Sequence, residues 1–460
     1  MLDRQIAQDA ITEAMKTGGD FAEIFLEDRR NNVLQMRGGK IDTVLSGRRH
    51  GAGIRVFQNL SAVYVYTNDT SREGLLACAR RAAAAVKAGQ AAHGPAPLLF
   101  RETPSIHPIA YPPTAVKAAS KAEKLRAAQA TASAYPDVKQ VILGYNDSEQ
   151  NVWIANSEGL FTSDTRVYSR MTCSAVASDG TENQTGTCNP GAMTGFELFD
   201  HRVDPEKVGR EAAEIAVTML HAPVCPAGVM PVVIDNGFGG VIFHEACGHS
   251  LEATAVAFGA SEFAGKLNQK IAADCVTAID DGTMPNEWGS LNIDDEGMPT
   301  TRLILIENGV LKNYMIDKLN GRRMNMPPTG SGRRESYAYA PTSRMRNTYI
   351  AAGQDDEREM IATMGDGLYA RRMGGGSVDP ATGEFNFSVM EGYLVKDGKI
   401  ASPVRGASLI GRGSEVLQRI DKVGKDMQMS QGMCGSLSGS VPTNVGQPMI
   451  RVSHLTVGGR

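Results

Sequence analysis

The 460-residue sequence contains only seven cysteines, and no two of them form a CxxC pair. An odd number of scattered cysteines excludes a disulfide framework and a four-cysteine zinc site. We therefore expect reduced thiols that are mostly buried as small apolar groups. One or two of them could still be metal ligands.

The sequence also lacks a long apolar run, a signal peptide and a strong excess of charge. No stretch approaches the ~20 apolar residues that a membrane-spanning helix needs, and the N-terminus has no apolar core or cleavage site of a signal peptide. The net charge of −4 gives no sign of a basic surface for nucleic acid or an anionic membrane. These absences predict a cytoplasmic protein with no nucleic-acid or membrane partner.

Hydrophobic patterning in the first half predicts a mixture of helices and strands. An amphipathic helix at about 3–17 precedes five short segments between 20 and 68, whose alternating apolar and polar residues predict strands separated by turns. Alanine-rich patterns predict helices at 71–89 and 113–137, with a Pro/Gly/Ala connector at 89–100. This order indicates an α+β layer with an antiparallel sheet.

The chain is long enough for two or three domains. We predict the main boundary near 223–230, where three prolines follow a helix that starts at Asp204 (N-cap) and Pro205. Short strands and glycines prevail after the boundary. The sequence therefore predicts an α+β N-terminal domain over 1–222. It also predicts a largely β C-terminal domain over 223–460, which carries the helix of a metal-binding motif.

This metal-binding motif is the segment FHEACGHSLEA at 243–253. Glu245 follows His244 as in the HExxH motif of zinc proteases, but His249 is five positions after His244 rather than four. Residues five apart in a regular α-helix point about 140° apart, so His249 would face away from His244. A π-bulge would restore the common face, and glycine eases such distortions. The spacing thus predicts a bulge or helix break near Gly248.

The spacing leaves two alternatives open. Cys247, three residues after His244, could be the second ligand and leave His249 in the core. The motif could also be a buried helix whose polar residues are hydrogen-bonded without any metal. A catalytic zinc needs a third protein ligand, which could be an acidic residue or one of the following: His201, His221, His454 and Cys434.

Two glutamates of the motif are candidates for roles beside the metal. Glu245 adjoins a ligand without being one, so it could accept a proton from water and pass it to a leaving amine. Glu252, three residues after His249, could orient the imidazole through its second nitrogen. The alternative for Glu252 is an ordinary surface charge on a helix.

Five motifs, in this order, resemble the TldD subunit of the TldD/PmbA (TldE) metallopeptidase family. They are FHEACGHSLEA at 243–253, SGRRESYAYAPTSRMRNTYIAAG at 331–353, GGGSVDPATGEFNFSVMEGYLVKDGKI at 374–400, VRGASLIGRG at 404–413 and MCGSLSGSVPTNVGQPMIRVSHLTVGG at 433–459. The resemblance implies an N-terminal α+β domain and a largely β C-terminal domain. It also implies a zinc (Zn2+) site with His244, His249 and Cys434 as ligands and Glu245 as catalytic acid/base.

The resemblance further implies substrates and partners. It predicts cleavage of short or unfolded peptides, in leader-peptide trimming or the degradation of small proteins. It predicts a homodimer, or a heterodimer with a metal-less paralogue of the PmbA/TldE type. The competing interpretation is a non-catalytic peptide-binding or regulatory subunit with a structural metal. The intact Glu245 favours the enzyme, because a structural zinc site needs no carboxylate beside its first ligand.

The segment 331–353 is rich in arginine and tyrosine. Its arginines could bind a peptide carboxylate, and Tyr337 or Tyr339 could donate a hydrogen bond to an oxyanion. The alternative is a structural loop.

Overall fold

The structure is a computed structural model that describes residues 1–86 and 94–459. Its α-helices are α1 (Arg4–Met15), α2 (Arg72–Ala85), α3 (Ala118–Ala132), α4 (Leu198–His201), α5 (Pro205–His221), α6 (Val241–Phe243), α7 (Ala253–Val256), α8 (Lys318–Met324), α9 (Glu357–Ala362) and α10 (Gly413–Arg419). Across these described residues, no helix has the length and apolar character to cross a membrane.

An eight-stranded sheet, here called the N-terminal sheet, organises the first half. Its strands are β1 (Phe21–Arg37), β2 (Lys40–Gln58), β3 (Ser61–Thr67), β4 (Leu99–Phe100), β5 (Val138–Asn156), β6 (Leu160–Ser178), β7 (Asn183–Cys188) and β8 (Gly191–Ala192). The order is β3-β2-β1-β5-β6-β4, and β7 and β8 also pair with β6. Only β4 runs parallel to its neighbour among these described strands, so the predicted antiparallel α+β layer is confirmed.

The strands at 20–68 are longer and fewer than predicted. β1 and β2 each merge two predicted segments, and β1 runs through Asn31 and Asn32 without a turn. It can do so because β1 is paired with β2 on one side and β5 on the other, which holds polar residues in extended geometry.

The predicted helices near the connector are also shorter in the structure. Helix α2 ends at Ala85, and the predicted end at Gly89 lies outside the described residues. So does the start of the 89–100 connector, whose last two residues form β4. Helix α3 covers only the middle of 113–137, while α5 begins at Pro205 with Asp204 as N-cap, as predicted.

The two faces of the N-terminal sheet have different neighbours. On β1, Ile24 packs with residues of α1 and α2, and Leu34 packs with residues of α3 and α5. The intervening residue Phe25 belongs to the opposite face and packs against Ile293 from the second half of the chain. The alternation of a strand therefore directs one face to the helices and the other to the second half.

The second half consists mainly of strands, as predicted. They are β9 (Gly228–Ile234), β10 (Ala278–Asp281), β11 (Arg302–Glu307), β12 (Val310–Leu311), β13 (Gly332–Arg333), β14 (Thr342–Ser343), β15 (Asn347–Ile350), β16 (Gly367–Val378), β17 (Glu384–Lys396), β18 (Lys399–Val404), β19 (Ser408–Arg412), β20 (Ile420–Val423), β21 (Gln428–Ser436), β22 (Gly439–Gln447) and β23 (Ile450–Gly458). One sheet has the order β12-β11-β10-β15-β22-β21, a second has the order β16-β9-β23-β19-β17-β18 with β20 on β23, and β13 pairs with β14.

The helical segment of the metal-binding motif is buried in the core that these two larger sheets share. Phe243 and Leu251 belong to one apolar cluster with Ile234 of the seven-stranded sheet and with Leu305 and Ile350 of the six-stranded sheet. Packing from both sides fixes the segment. Its polar residues are therefore held at defined positions beside β21, the edge strand of the six-stranded sheet.

Candidate metal centre

The backbone of the motif contains the predicted bulge. After one turn of α6, residues His244–Gly248 form a π-helical turn, and His249–Leu251 form a 3-10 turn. The backbone N–H of His249 donates to the carbonyl of His244, five residues earlier. This spacing accommodates one extra residue in the turn, which confirms the prediction of a bulge near Gly248.

The glycine at 248 has a different role from the one expected. Its φ of −56° and ψ of −51° are ordinary helical values that any residue adopts. A Cβ atom at this position would instead overlap the Sδ atom of Met345. Gly248 therefore allows close packing of the π-helical turn against Met345, and no unusual backbone angle requires it.

The bulge brings both histidines to the same side of the segment, where they meet Cys434 of β21. The Nε2 atoms of His244 and His249 each lie 3.3 Å from Cys434 Sγ. All three potential ligand atoms lie within 4.8 Å of one another. Tetrahedral zinc, with bonds of ~2.1 Å to nitrogen and ~2.3 Å to sulfur, separates such atoms by about 3.6 Å. The geometry of this cluster therefore fits a metal ion.

The electrostatics of the cluster favour a deprotonated Cys434. Burial alone would raise the pKa of the Cys434 thiol, but His244 and His249 bring it well below its usual value. This favours the thiolate, which is the form of cysteine that binds metals. His244 Nδ1 is buried and has no hydrogen-bond partner among the described residues.

Glu252 orients the His249 ring and is not a surface charge. Its Oε2 lies 3.2 Å from His249 Nδ1, and its Oε1 accepts a hydrogen bond of 3.3 Å from the Met345 backbone N–H. Burial would lower the pKa of the His249 imidazole, but Glu252 and then Cys434 raise it well above its usual value. The contact leaves Nε2 of His249 directed at Cys434.

Glu245 lies beside the cluster and is open to solvent. Its Oε2 is 3.6 Å from His249 Nε2, and its side chain is 25% exposed. Together with His249, it lines a cavity of about 370 Å³ that also reaches Val378 and Gly435. A small molecule in this cavity can therefore contact Glu245 and the metal cluster at the same time.

The other candidate ligands lie elsewhere. The Cys247 side chain is buried, and burial raises the pKa of its thiol well above the usual value. His221 contacts Asp137, and His454 contacts Ser453. Among the described residues, none of these joins the cluster of His244, His249 and Cys434, and the same holds for His201.

Two arginines of 331–353 have a structural role, which is the alternative stated for this segment. Arg334 pairs with Glu23 of β1, and Arg346 pairs with Asp280 of β10. The ring of Tyr337 packs on the N-terminal sheet, and its backbone carbonyl accepts a hydrogen bond from the Tyr64 hydroxyl. These contacts fix the segment between the two halves of the chain.

Sequence reasoning missed one residue of this segment that supports the metal cluster. The guanidinium of Arg344 donates to the backbone carbonyls of Cys434 and Gly439 and lies 3.7 Å from Glu252. It therefore connects β21 to the carboxylate that orients His249. Its only sequence signal was a position in an arginine-rich segment.

Comparisons with known proteins place the chain among metallopeptidases. Models for the PmbA/TldA metallopeptidase domain 1, central domain and C-terminal domain match residues 22–86, 111–220 and 227–459. A metalloprotease TldD homolog of Haemophilus influenzae is 35% identical over 454 residues, covering 96% of this chain and 93% of the relative. A zinc metalloprotease TldD homolog of Saccharolobus solfataricus is 33% identical over 266 residues, covering 57% and 58%.

A solved structure shows the same fold. The crystal structure of TldE from Thermococcus kodakarensis superposes with a TM-score of 0.77 and 19% identity, covering 99% of this chain and 100% of that one. The family models and the relatives establish the classification independently of this likeness. The chain belongs to the TldD/PmbA family of metallopeptidases.

Proposed function

We propose that the chain is a zinc peptidase that hydrolyses peptide bonds in short or unfolded peptides. The main support is the Glu245 carboxylate, which lies beside the cluster of His244, His249 and Cys434 and lines the adjacent cavity. A structural zinc site requires no such group. The name of the relative from Saccharolobus solfataricus supports zinc as the ion.

In the proposed mechanism each residue has one task. His244, His249 and Cys434 would hold the ion, and three protein ligands are typical of a catalytic zinc site. A bound zinc ion would act as a Lewis acid, which lowers the pKa of water and polarises a peptide carbonyl. The Glu245 carboxylate accepts the proton of the attacking water and then delivers it to the leaving amine. Glu252 keeps the His249 ring in position.

The shape of the site supports an extended peptide as substrate. Cys434 is on β21, which forms the edge of its sheet and is partly exposed along its length. A peptide could add to this edge as a further strand, bound mainly through its main chain. Such binding accepts many sequences but requires an unfolded segment, as leader peptides and small unstructured proteins provide.

A dimer completes the proposal, either with a second copy or with a metal-less PmbA/TldE-type paralogue. The family membership and the shared fold with a TldE protein support this. Light scattering of the chain, alone and mixed with such a paralogue, is expected to give the mass of a dimer. A monomer under both conditions would contradict this part of the proposal.

Activity measurements test the peptidase directly. Zinc-loaded protein should cleave short unstructured peptides, and a chelator should abolish the cleavage. Glu245→Gln should lower kcat by ~10²- to 10⁴-fold, the usual contribution of a general acid or base, while zinc content stays unchanged. Glu415→Gln, on the surface of α10, is the matched control. Cleavage that survives both zinc removal and Glu245→Gln would show that the proposed mechanism is wrong.

A further inference from the structure

A second cavity lies between the N-terminal sheet and the hairpin of β21 and β22, and its volume is about 480 Å³. Met433 of β21 lines it, whereas the next residue, Cys434, belongs to the metal cluster. Neighbouring residues of a strand point to opposite faces. The second cavity and the metal centre therefore lie on the two sides of the same hairpin.

The lining of the second cavity is strongly positive, although the whole chain has a net charge of −4. It contains six arginines and three carboxylates, an excess of three positive charges. Three of the arginines are paired with carboxylates: Arg49, Arg166 and Arg334. Among the described residues, no carboxylate oxygen lies within salt-bridge distance of the other three: Arg29, Arg170 and Arg333.

The three unpaired arginines are held by neutral groups. Arg333 is 2% exposed and donates to the backbone carbonyls of Met345 and Pro442 at 2.6 and 2.7 Å. Arg29 donates to the Asn31 side chain, and Arg170 lies over the Trp288 ring. Burial lowers the pKa of all three guanidinium groups, that of Arg333 to about 10. Arg333 is thus a buried cation whose hydrogen bonds go to neutral groups, which is costly, whereas Arg29 and Arg170 are half-buried.

The sheet register adds a second unfavourable feature. Arg29 of β1 is directly opposite Arg49 of β2, and on its other side Gln150 of β5 separates it from Arg166 of β6. Like charges directly opposite each other destabilise a sheet. One row across four strands therefore presents three arginines to the same cavity, an arrangement that a bound anion would relieve.

We propose that the second cavity binds a small molecule carrying a carboxylate or phosphate group, held by Arg29, Arg170 and Arg333. The planar guanidinium group pairs with both anions through two parallel hydrogen bonds. The cavity volume is in the range of sites for small molecules. The ligand is either a free anion or the carboxylate of a peptide substrate. The second source also rests on the proposed peptidase function, whereas the anion site itself does not.

Titration calorimetry of the zinc-loaded protein with inorganic phosphate and with succinate, at constant ionic strength, tests the site. We expect saturable binding of at least one of the two that Arg29→Gln and Arg170→Gln each weaken ~10-fold or more, the usual loss for a hydrogen bond to a charged group. Arg30→Gln removes the same charge from the next residue of β1, which is exposed, and should bind as the wild type does. Arg333 is not replaced in this experiment, because it also donates hydrogen bonds to two backbone carbonyls and its loss could disturb the fold.

Two results would overturn the anion site. One is the lack of saturable binding of both anions to the wild type, and the other is equal affinity in the Arg29→Gln, Arg170→Gln and Arg30→Gln proteins. Circular dichroism and thermal unfolding establish that each variant is folded. If one of the two arginine variants does not fold, the other still tests the site. This titration needs no peptidase activity, so its failure is distinct from failure of the proposed function.

A competition experiment identifies the source of the ligand. An unstructured peptide with a free C-terminal carboxylate, and the same peptide as an amide, compete with the bound anion in the Glu245→Gln protein. Displacement by the acid alone supports a substrate carboxylate, and displacement by neither supports a free anion. Equal displacement by the acid and the amide would contradict recognition of a carboxylate by these arginines.

Discussion

At the scale of single residues, the cluster of His244, His249 and Cys434 depends on two side chains that are not candidate ligands themselves. Glu252 contacts His249 Nδ1, and Arg344 contacts both Glu252 and the main chain of Cys434. Both side chains are buried. Together they connect the histidine segment to β21, so the separation of the three candidate ligand atoms depends on them.

Replacement of Glu252 by glutamine should weaken metal binding while the fold is kept. Glutamine retains the size of the side chain but loses the charge that stabilises the His249 N–H group. Loss of such a supporting group usually lowers metal affinity ~10- to 100-fold. Competition with a zinc chelator measures this change. Glu415→Gln should leave the affinity unchanged, and an unchanged affinity in Glu252→Gln would contradict the orienting role.

At the scale of elements, the π-helical turn accommodates the extra residue between the histidines and so places both of them on the same side of the segment. The spacing in the sequence predicted it from helix geometry alone. The sequence could not show why residue 248 is glycine, because the reason is a contact with Met345, almost a hundred residues later. The prediction of short strands at 20–68 was wrong for a similar reason, since contacts distant in sequence determine the strand length. Pairing with β5, which lies over a hundred residues away, extends β1 through Asn31 and Asn32.

A double-mutant cycle tests the packing of this turn. Gly248→Ala alone should destabilise the protein by ~1–3 kcal/mol, because the added methyl group overlaps Met345 Sδ. With Met345→Ala already present, the same change should cost less, since the space is free. We expect a coupling energy of about 1 kcal/mol or more from chemical unfolding curves. Additive effects would show that Gly248 and Met345 do not constrain each other.

At the scale of the whole molecule, buried ion pairs connect the N-terminal sheet to the second half. Glu23 of β1 pairs with Arg55 of β2 and with Arg334 at 2.8 and 2.6 Å, and Arg55 also pairs with Glu296. The sequence could not predict these ion pairs, because their members are up to 311 residues apart. The division of the chain into two domains at 222/223 stays a prediction.

Removal of the Glu23 charge should destabilise the folded protein strongly. Glu23→Gln leaves Arg334 without its carboxylate, and loss of one partner of a buried pair usually costs ~3–5 kcal/mol. Chemical unfolding at neutral pH measures the loss. Glu73→Gln, at an exposed position on α2, should change stability by less than ~0.5 kcal/mol. Equal stabilities of the two variants would contradict the role of Glu23.

The Glu23 pair also predicts a pH dependence. Burial alone would raise the pKa of the Glu23 carboxyl, but Arg55 and Arg334 hold it below the usual value of 4.5. A lowered pKa in the folded state means that the pair stabilises the protein fully above pH ~4.5, and that this stability is lost as the pH falls through the folded-state pKa. The stability difference between wild type and Glu23→Gln should therefore shrink below that pH. A constant difference down to pH 3 would contradict this.

The central claim is that Cys434 joins His244 and His249 around one ion. The residues alone offered Cys434 only as one of several candidates, on the basis of its glycine- and serine-rich surroundings, and the resemblance to the family then named it as the third ligand. Zinc-edge X-ray absorption of the zinc-loaded protein tests the claim most directly. We predict one sulfur at ~2.3 Å together with nitrogen or oxygen neighbours at ~2.1 Å, and loss of the sulfur in Cys434→Ser. A zinc spectrum without sulfur, or a sulfur neighbour that persists in Cys434→Ser, would contradict it.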